Sequence, residues 1–271
     1  MSVLTEILHE HREYGEQTIK MARTDLVRTY RASALGWSWA IIKPIITIFI
    51  YWFAMSLGLR AGKPHDGYPY FLWLMMGMVP WFYINDMLHR GTESMRKYRY
   101  LITKIHYPVS TIPTFVSLSN LFVNSILLLV VYILCLCFGH MPTLQNLQIF
   151  FYMFLSYAFF TSWTLFAAPI AAMSQDFLNL VKSFVFSLLW LSGIFFDIDT
   201  QIAPGHPTLA IILKLNPIAY LVSGFRDAFM STGWFWERPV WTLVFFGELL
   251  IMFLLALWSY KKLRKDMPDV L

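Results

Sequence analysis

The residue with the most pointed chemistry is Glu248, which lies about midway along an apolar run from Val240 to Tyr260. A carboxylate at the bilayer centre costs about 2.5 to 3.5 kcal/mol on insertion scales unless it is paired, protonated or wetted. Glu248 is therefore either a protonated or hydrogen-bonded packing group or, less plainly, a substrate contact. No other apolar run carries a deep carboxylate, since Asp86 and Asp176 fall near run ends where water is close, and this disfavours ion-coupled transport. Four tryptophans inside apolar runs, Trp73, Trp81, Trp163 and Trp190, have faces on which sugar rings can stack; packing or lipid-facing roles suit them equally. Trp37, Trp39, Tyr68, Tyr70 and Trp241 stand near run ends and read as interfacial anchors.

Two patterns imitate catalytic or binding motifs. Gly58 to Pro64 resembles a phosphate-binding loop, but only three residues separate its glycines and proline follows Lys63, so no nucleotide site is expected there. His9, Glu10, His11 and Glu13 suggest a metal site, yet the zinc-protease pattern needs histidines four apart on one helical face. A solvated helix face is the expectation.

The composition explains where such groups must sit. Hydrophobic residues make up 58% of the 271 and charged residues 14%, with mean hydropathy +0.55; a soluble domain carries about 25% charged residues. At about 20 apolar residues per crossing, the chain holds a handful of spans and no soluble catalytic domain. The net charge of +5 does not point to nucleic acid, because the basic residues flank apolar runs. Cys135 and Cys137 lie two apart in one run and read as packing thiols. The charged N-terminal stretch is unlike a cleaved leader, and none is expected.

The fold expected is an all-α integral membrane protein with six transmembrane helices: Trp39 to Leu59, Tyr70 to Leu88, Val109 to Phe138, Leu147 to Met173, Phe177 to Phe196 and Val240 to Tyr260. Between the last two, Thr208 to Leu215 and Ile218 to Met230 are too short to cross singly and are broken by Asn216-Pro217. They are expected to form a re-entrant helical hairpin. All but Arg60, Lys63, Lys214, Arg226 and Arg238 of the 21 Lys and Arg fall on one side of this layout, which places both termini in the cytoplasm and the hairpin outward. Leu4, Ile7, Leu8 and His11 recur at helical spacing, predicting an N-terminal amphipathic helix along the inner membrane surface. The organisation expected is an interface region (1–36), a six-span domain (37–260) with a cytoplasmic loop (89–107) and an extracellular re-entrant region (197–238), and a cytoplasmic tail (261–271).

The run Tyr30-Arg31-Ala32-Ser33-Ala34-Leu35-Gly36-Trp37-Ser38-Trp39, followed by Lys43-Pro44, resembles the start of polysaccharide-exporting permeases of the ABC-2 transporter family. Leu101 to Pro108 (LITKIHYP), Asp176, Asn216-Pro217 and Arg226 fall where that family has similar residues, so the likeness covers nearly the whole chain. Within the family, Ile50 to Phe53, Trp81 to Asn85 and the run from Ile112 look most like wall teichoic acid permeases of Gram-positive bacteria. The resemblance implies a homodimer resting on two copies of a cytoplasmic ABC ATPase. ATP and Mg would be bound by that partner and no cofactor by this chain, and the cargo would be a lipid-linked glycan polymer, either wall teichoic acid or an O-antigen or capsular polysaccharide.

On that reading the chain is a transport subunit and not an enzyme. Glu93, Arg96, Lys97, Tyr98 and Arg99 are expected to form the coupling element that contacts the ATPase, or else to bind lipid alone. Arg31 and Lys43 at the inner mouth are candidates to attract a pyrophosphate head group, with positive-inside anchoring an equal alternative. Trp73, Trp81, Trp190 and Glu248 complete the candidate path, expected between subunits near spans one and five, and Pro44 and Pro80, each within an apolar span, permit kinks that shape it. A small-molecule ABC-2 exporter would share this fold. A membrane-embedded transferase would need a convergent acid, base or metal cluster, which the sequence lacks.

Overall fold

The structure, a computed structural model, describes residues 3–31, 34–58, 67–105, 107–264 and 267, and no strand occurs among them. Two helices, α1 (Val3–Glu13) and α2 (Gly15–Tyr30), precede the bundle. Then come α3 (Trp39–Phe53), α4 (Tyr70–Asp86), the short α5 (Thr92–Lys97) and α6 (Arg99–Thr103), α7 (Thr111–Cys137), α8 (Gln148–Met173), α9 (Gln175–Leu191), α10 (Pro207–Lys214), α11 (Pro217–Met230) and α12 (Pro239–Leu263). π turns at Ala54–Gly58 and Met87–Gly91 prolong α3 and α4.

By length and apolarity, four of the described helical stretches can cross a membrane: Gly36–Gly58, Thr111–Cys137, Leu144–Met173 and Pro239–Leu263. The pair α10 and α11 makes a fifth if counted as one broken span. Six were expected, and the difference lies in α4 and α9, each of 17 residues, at the short limit for a crossing. The α-helical part of α4 gives way to a π turn carrying His89 and Arg90. α9 stops at Leu191, five residues before the expected Phe196, and the chain turns through Gly193 at φ 64.

The break between α10 and α11 bends the chain by 91°. Asn216 ends one helix and caps the next, its Oδ1 accepting from Ile218 N at 3.0 Å, while Pro217 occupies the first turn, where its missing N–H costs nothing. The end of α7 is set by Gly139 at φ 88, with His140 N donating to Cys135 O at 3.0 Å. Ser174 separates α8 from α9, and its Oγ accepts from Phe177 N at 3.2 Å.

α4 is apolar on every side and is accordingly central, packed by α3, α7 and α11, with Leu72, Leu74, Met76 and Ile84 fully buried. α3 and α9 are peripheral. Each buries one narrow stripe (Ala40 and Ile48; Leu178, Val181, Val185 and Leu189) and turns the rest outward, including Phe49, Phe53, Phe184 and Phe186. The apolar exterior of a membrane bundle needs no polar covering.

One buried cation fastens α11 to this centre. Arg226 donates from Nη1 to Gly193 O (2.7 Å), from Nη2 to Ile194 O (2.6 Å) and from Nε to Trp73 O (3.3 Å), and its guanidinium lies 3.3 Å over the Trp73 ring. Gly77 makes room for it, because a Cβ there would stand 2.5 Å from Arg226 Nη2. A lysine offers a point charge in place of the planar fork. Arg226→Lys is expected to lower stability by about 2 to 4 kcal/mol through carbonyls left unsatisfied, read as a fall in the thermal unfolding midpoint of the detergent-solubilised chain.

Candidate functional site

At the end of the bundle that carries both termini, α3, α4 and α9 part to leave a cleft of about 610 Å3, closed behind by α7 and the end of α2. Its ionisable lining is largely cationic: Lys43 from α3, Arg90 from the π turn after α4 and Lys182 from α9, against the single carboxylate of Asp86, with the His89 imidazole beside them. Aromatic rings (Tyr30, Trp39, Tyr51, Trp81, Phe82 and Phe186) supply much of the remainder. Pro44, one residue beyond Lys43, cannot donate to the Ala40 carbonyl, and both residues line the cleft.

The cations differ in how they are held. Arg90 donates to Asn120 Oδ1 (2.7 Å), Thr29 Oγ1 (2.9 Å) and Asp25 Oδ2 (3.2 Å), and Asp86 lies 3.8 Å away. Lys182 pairs with Glu93 at 3.2 Å. Lys43 is exposed and, alone of the three Lys and Arg side chains in the cleft, makes no ion pair within 4 Å among the described residues, although its charge acts on the Asp86 carboxylate across the cleft.

Asp25 holds the wall of the cleft together. Its carboxylate is fully buried and accepts from Arg90, from Lys97 Nζ at 2.8 Å and from the Tyr98 hydroxyl, joining α2 to the π turn and to the loop. Burial alone would push the Asp25 carboxyl up, but Arg90 and the hydrogen bonds from Lys97 and Tyr98 outweigh it and hold the group below the ordinary aspartate range. Burial and the bond to Asp25 push the Tyr98 hydroxyl up, so it stays a donor.

The expected coupling residues divide between inner and outer roles. Tyr98 is buried, and Lys97 and Tyr98 point at Asp25. Arg96 donates to Ala171 O (2.5 Å), Ala172 O (3.2 Å) and Gln175, placing a cation on the carbonyl end of α8. Glu93 reaches α9 through Lys182. Arg99, by contrast, is exposed, beside exposed Tyr100, Lys104 and Ile105.

Of the expected path residues, the cleft unites Lys43 and Trp81, although Trp81 is buried to 3% exposure. Arg31 lies apart, in a separate exposed groove with Arg23 and Arg28. Trp73 lies beneath Arg226, and Trp190 is half exposed beside Phe195. Glu248 is half buried on α12, a helix that lines none of the cleft, and no hydrogen-bond or ionic partner for it occurs among the described residues. Trp163 donates from Nε1 to Thr92 Oγ1 at 3.2 Å. Of the N-terminal stripe, Ile7 packs inward and His11 Nε2 lies 2.7 Å from Thr114 Oγ1, while Leu4 and Leu8 stay exposed. Glu6 and Glu10 tie α1 to Arg264 and to Ser110 and Tyr260.

Sequence reasoning passed over Asp25, Thr29 and Asn120. A signal was present, since Thr18, Ala22, Asp25, Leu26 and Thr29 share one helical face, so an aspartate stands in the stripe by which α2 is buried.

These features define a multi-pass helical membrane protein whose cationic, aromatic cleft opens at the end where α1 meets the last turns of α12. The ABC-2 type transporter family profile matches residues 16–230, and the chain belongs to that family. It is similar to the O-antigen export system permease protein RfbA of Myxococcus xanthus, at 23% identity over 83% of this chain and 85% of the relative. A protein of the same name from Klebsiella pneumoniae matches at 24% identity over 91% of this chain and 92% of its own length. The inner membrane transport permease YadH of Escherichia coli K12 matches at 24% over 82% and 87%.

Asp25→Ala would remove the ion-pair partner of Lys97 and one of several partners of Arg90, and is expected to cost about 2 kcal/mol, read by thermal unfolding. Because the folded-state group is depressed, its contribution is complete above the ordinary aspartate value of about 3.9 and is lost as pH falls through the lower folded value. The difference in midpoint between parent and variant should therefore narrow progressively below about pH 4.

Proposed function

We propose that this chain is the membrane subunit of an ATP-driven exporter of a lipid-linked surface polysaccharide, working as a homodimer on two copies of a separate ABC ATPase. The observation that carries the reading is the cleft at the terminal end of the bundle, where unpaired Lys43 stands among aromatic rings. Phosphate oxygens of a lipid pyrophosphate carrier suit such a cation, while flat rings suit the first sugars. The lipid tail would lie against the apolar outward faces of α3 and α9, which flank the cleft. Two relatives named as O-antigen export permeases favour an O-antigen or capsular polymer. Wall teichoic acid, the narrower expectation, rests only on short sequence runs.

In this reading both termini are cytoplasmic and the chain crosses six times, α4 and α9 being short crossings completed by the turns that follow them. Exposed Leu4 and Leu8 would rest α1 on the inner leaflet. Arg99, Tyr100, Lys104 and Ile105 would meet the ATPase, while Glu93, Arg96, Lys97 and Tyr98 would pass motion inward to α2, α8 and α9. The partner would bind ATP and Mg.

The decisive experiment reconstitutes the chain with its ATPase and lipid-linked polymer. A surface cation is worth about 1 kcal/mol toward an anionic head group, so Lys43→Gln should raise the substrate concentration for half-maximal ATPase stimulation about fivefold without loss of the complex; an unchanged value would remove Lys43 from the site. Arg99→Glu with Lys104→Glu should abolish co-purification of the ATPase. Full co-purification and export by that double variant would reject the docking assignment.

A further inference from the structure

The opposite end of the bundle holds a second cavity, of about 510 Å3, which the cleft and its chemistry do not use. It lies where α11, the start of α12 and the start of α8 meet, with α10 and the segment before it on one side. Its walls combine two groups of side chains. Trp234 and Trp241 present aromatic surface, with the packed rings of Tyr152 and Tyr220 behind them, and Trp234 is stacked on Trp236 at 4.5 Å with 11° between planes. Among them stand charged groups already matched to one another: Lys214 with Asp199, and Asp227 with Arg238 at 2.9 Å. Lys214 Nζ also lies 5.2 Å over the Trp241 ring.

The charge balance excludes one class of occupant. Three carboxylates, Asp199, Asp227 and Glu237, line the cavity against two cations, Lys214 and Arg238, each of which is bound to a carboxylate. A polyanion would meet no unpaired cation there and one excess negative charge. A hydroxyl-rich neutral chain fits better, since carboxylates accept from hydroxyls and pyranose rings offer apolar faces to tryptophan. Here the indole surface of Trp234 and Trp241 borders an open cavity that also holds fixed carboxylate acceptors, unlike the packed rings of the core.

We infer that this cavity is a binding subsite for a neutral saccharide segment, with Trp241 and Trp234 as stacking platforms and Asp199, Asp227 and Glu237 as hydroxyl acceptors. The inference rests on the export reading for the arrival of such a chain, and it narrows the cargo to a polymer with uncharged stretches. Held at the far end of the bundle, a leading sugar is hindered from sliding back while the next repeat enters at the cleft.

The test uses the full-length chain in lipid nanodiscs and two probes of equal length: oligosaccharides released by mild acid from the source cells' surface polysaccharide, and an oligo(glycerol phosphate). Saturation-transfer NMR should register the first and not the second. Trp241→Ala should weaken binding about tenfold, Trp241→Phe should restore most of it, and Glu237→Lys should move preference toward the phosphate probe. Thermal unfolding of each variant checks that the fold is intact. Equal binding of both probes, no transfer from the oligosaccharide, or a Trp241→Ala chain that binds like the parent would overturn the subsite. A deletion strain that keeps its surface polysaccharide would instead remove the export reading and leave the binding result in place.

Discussion

A buried carboxylate must be answered by partners or it will not stay ionised, and in this chain the answer to Asp25 organises one whole end of the molecule. Arg90, Lys97 and Tyr98 converge on it from a π turn and a short loop, and Arg90 extends the set to Asn120 of α7. α2 already packs on α7 through buried Thr18, Ala22 and Leu26, and the convergence ties its far end to the turn after α4 as well. With it, α2 becomes the back wall of the cleft, and Arg90 is turned into a structural cation. Lys43 is then the Lys or Arg of the cleft that makes no ion pair within 4 Å among the described residues.

The rest of the bundle follows a different rule. In a helix such as α4, where apolar side chains face every direction, position is decided by shape, and close approach depends on small residues. Gly77 admits the Arg226 guanidinium, and a Cβ at Gly91 would collide with Thr164 Oγ1. Polar groups inside this region find backbone carbonyls in place of countercharges, as Arg226 does. The two ends thus differ in kind. One has ion pairs gathered around a single acid, and the other combines a buried cation that caps loose carbonyls with two separate pairs, Lys214 with Asp199 and Asp227 with Arg238.

Much of this architecture is legible in the sequence because hydrocarbon length and turn chemistry are strong local signals. The elbow at Asn216-Pro217 and the long apolar runs of α3, α7, α8 and α12 follow from residue types alone. The crossings of α4 and α9 are less secure from sequence, because apolarity continues past the residues where the α-helix ends. Side-chain partners are harder still. Glu93, Arg96 and Lys97 look like a solvent-facing charge run, yet each has a partner on another helix, since only tertiary packing brings residues 75 positions apart together, as with Arg96 and Ala171. Trp73 looked like a path residue for the same reason, its Arg226 partner being 153 residues away. Asp25 could have been read from its helical face.

The grip of α5 on its neighbours has a mechanical corollary. Arg96 seizes the last carbonyls of α8, and Glu93, three residues earlier, holds Lys182 near the start of α9. Between those two anchor points the chain passes through Ser174, the single non-helical residue joining α8 to α9. The short helix is therefore a yoke across a joint. With both anchor points held, α8 and α9 cannot change the angle between them at Ser174 without releasing one of the yoke's two grips.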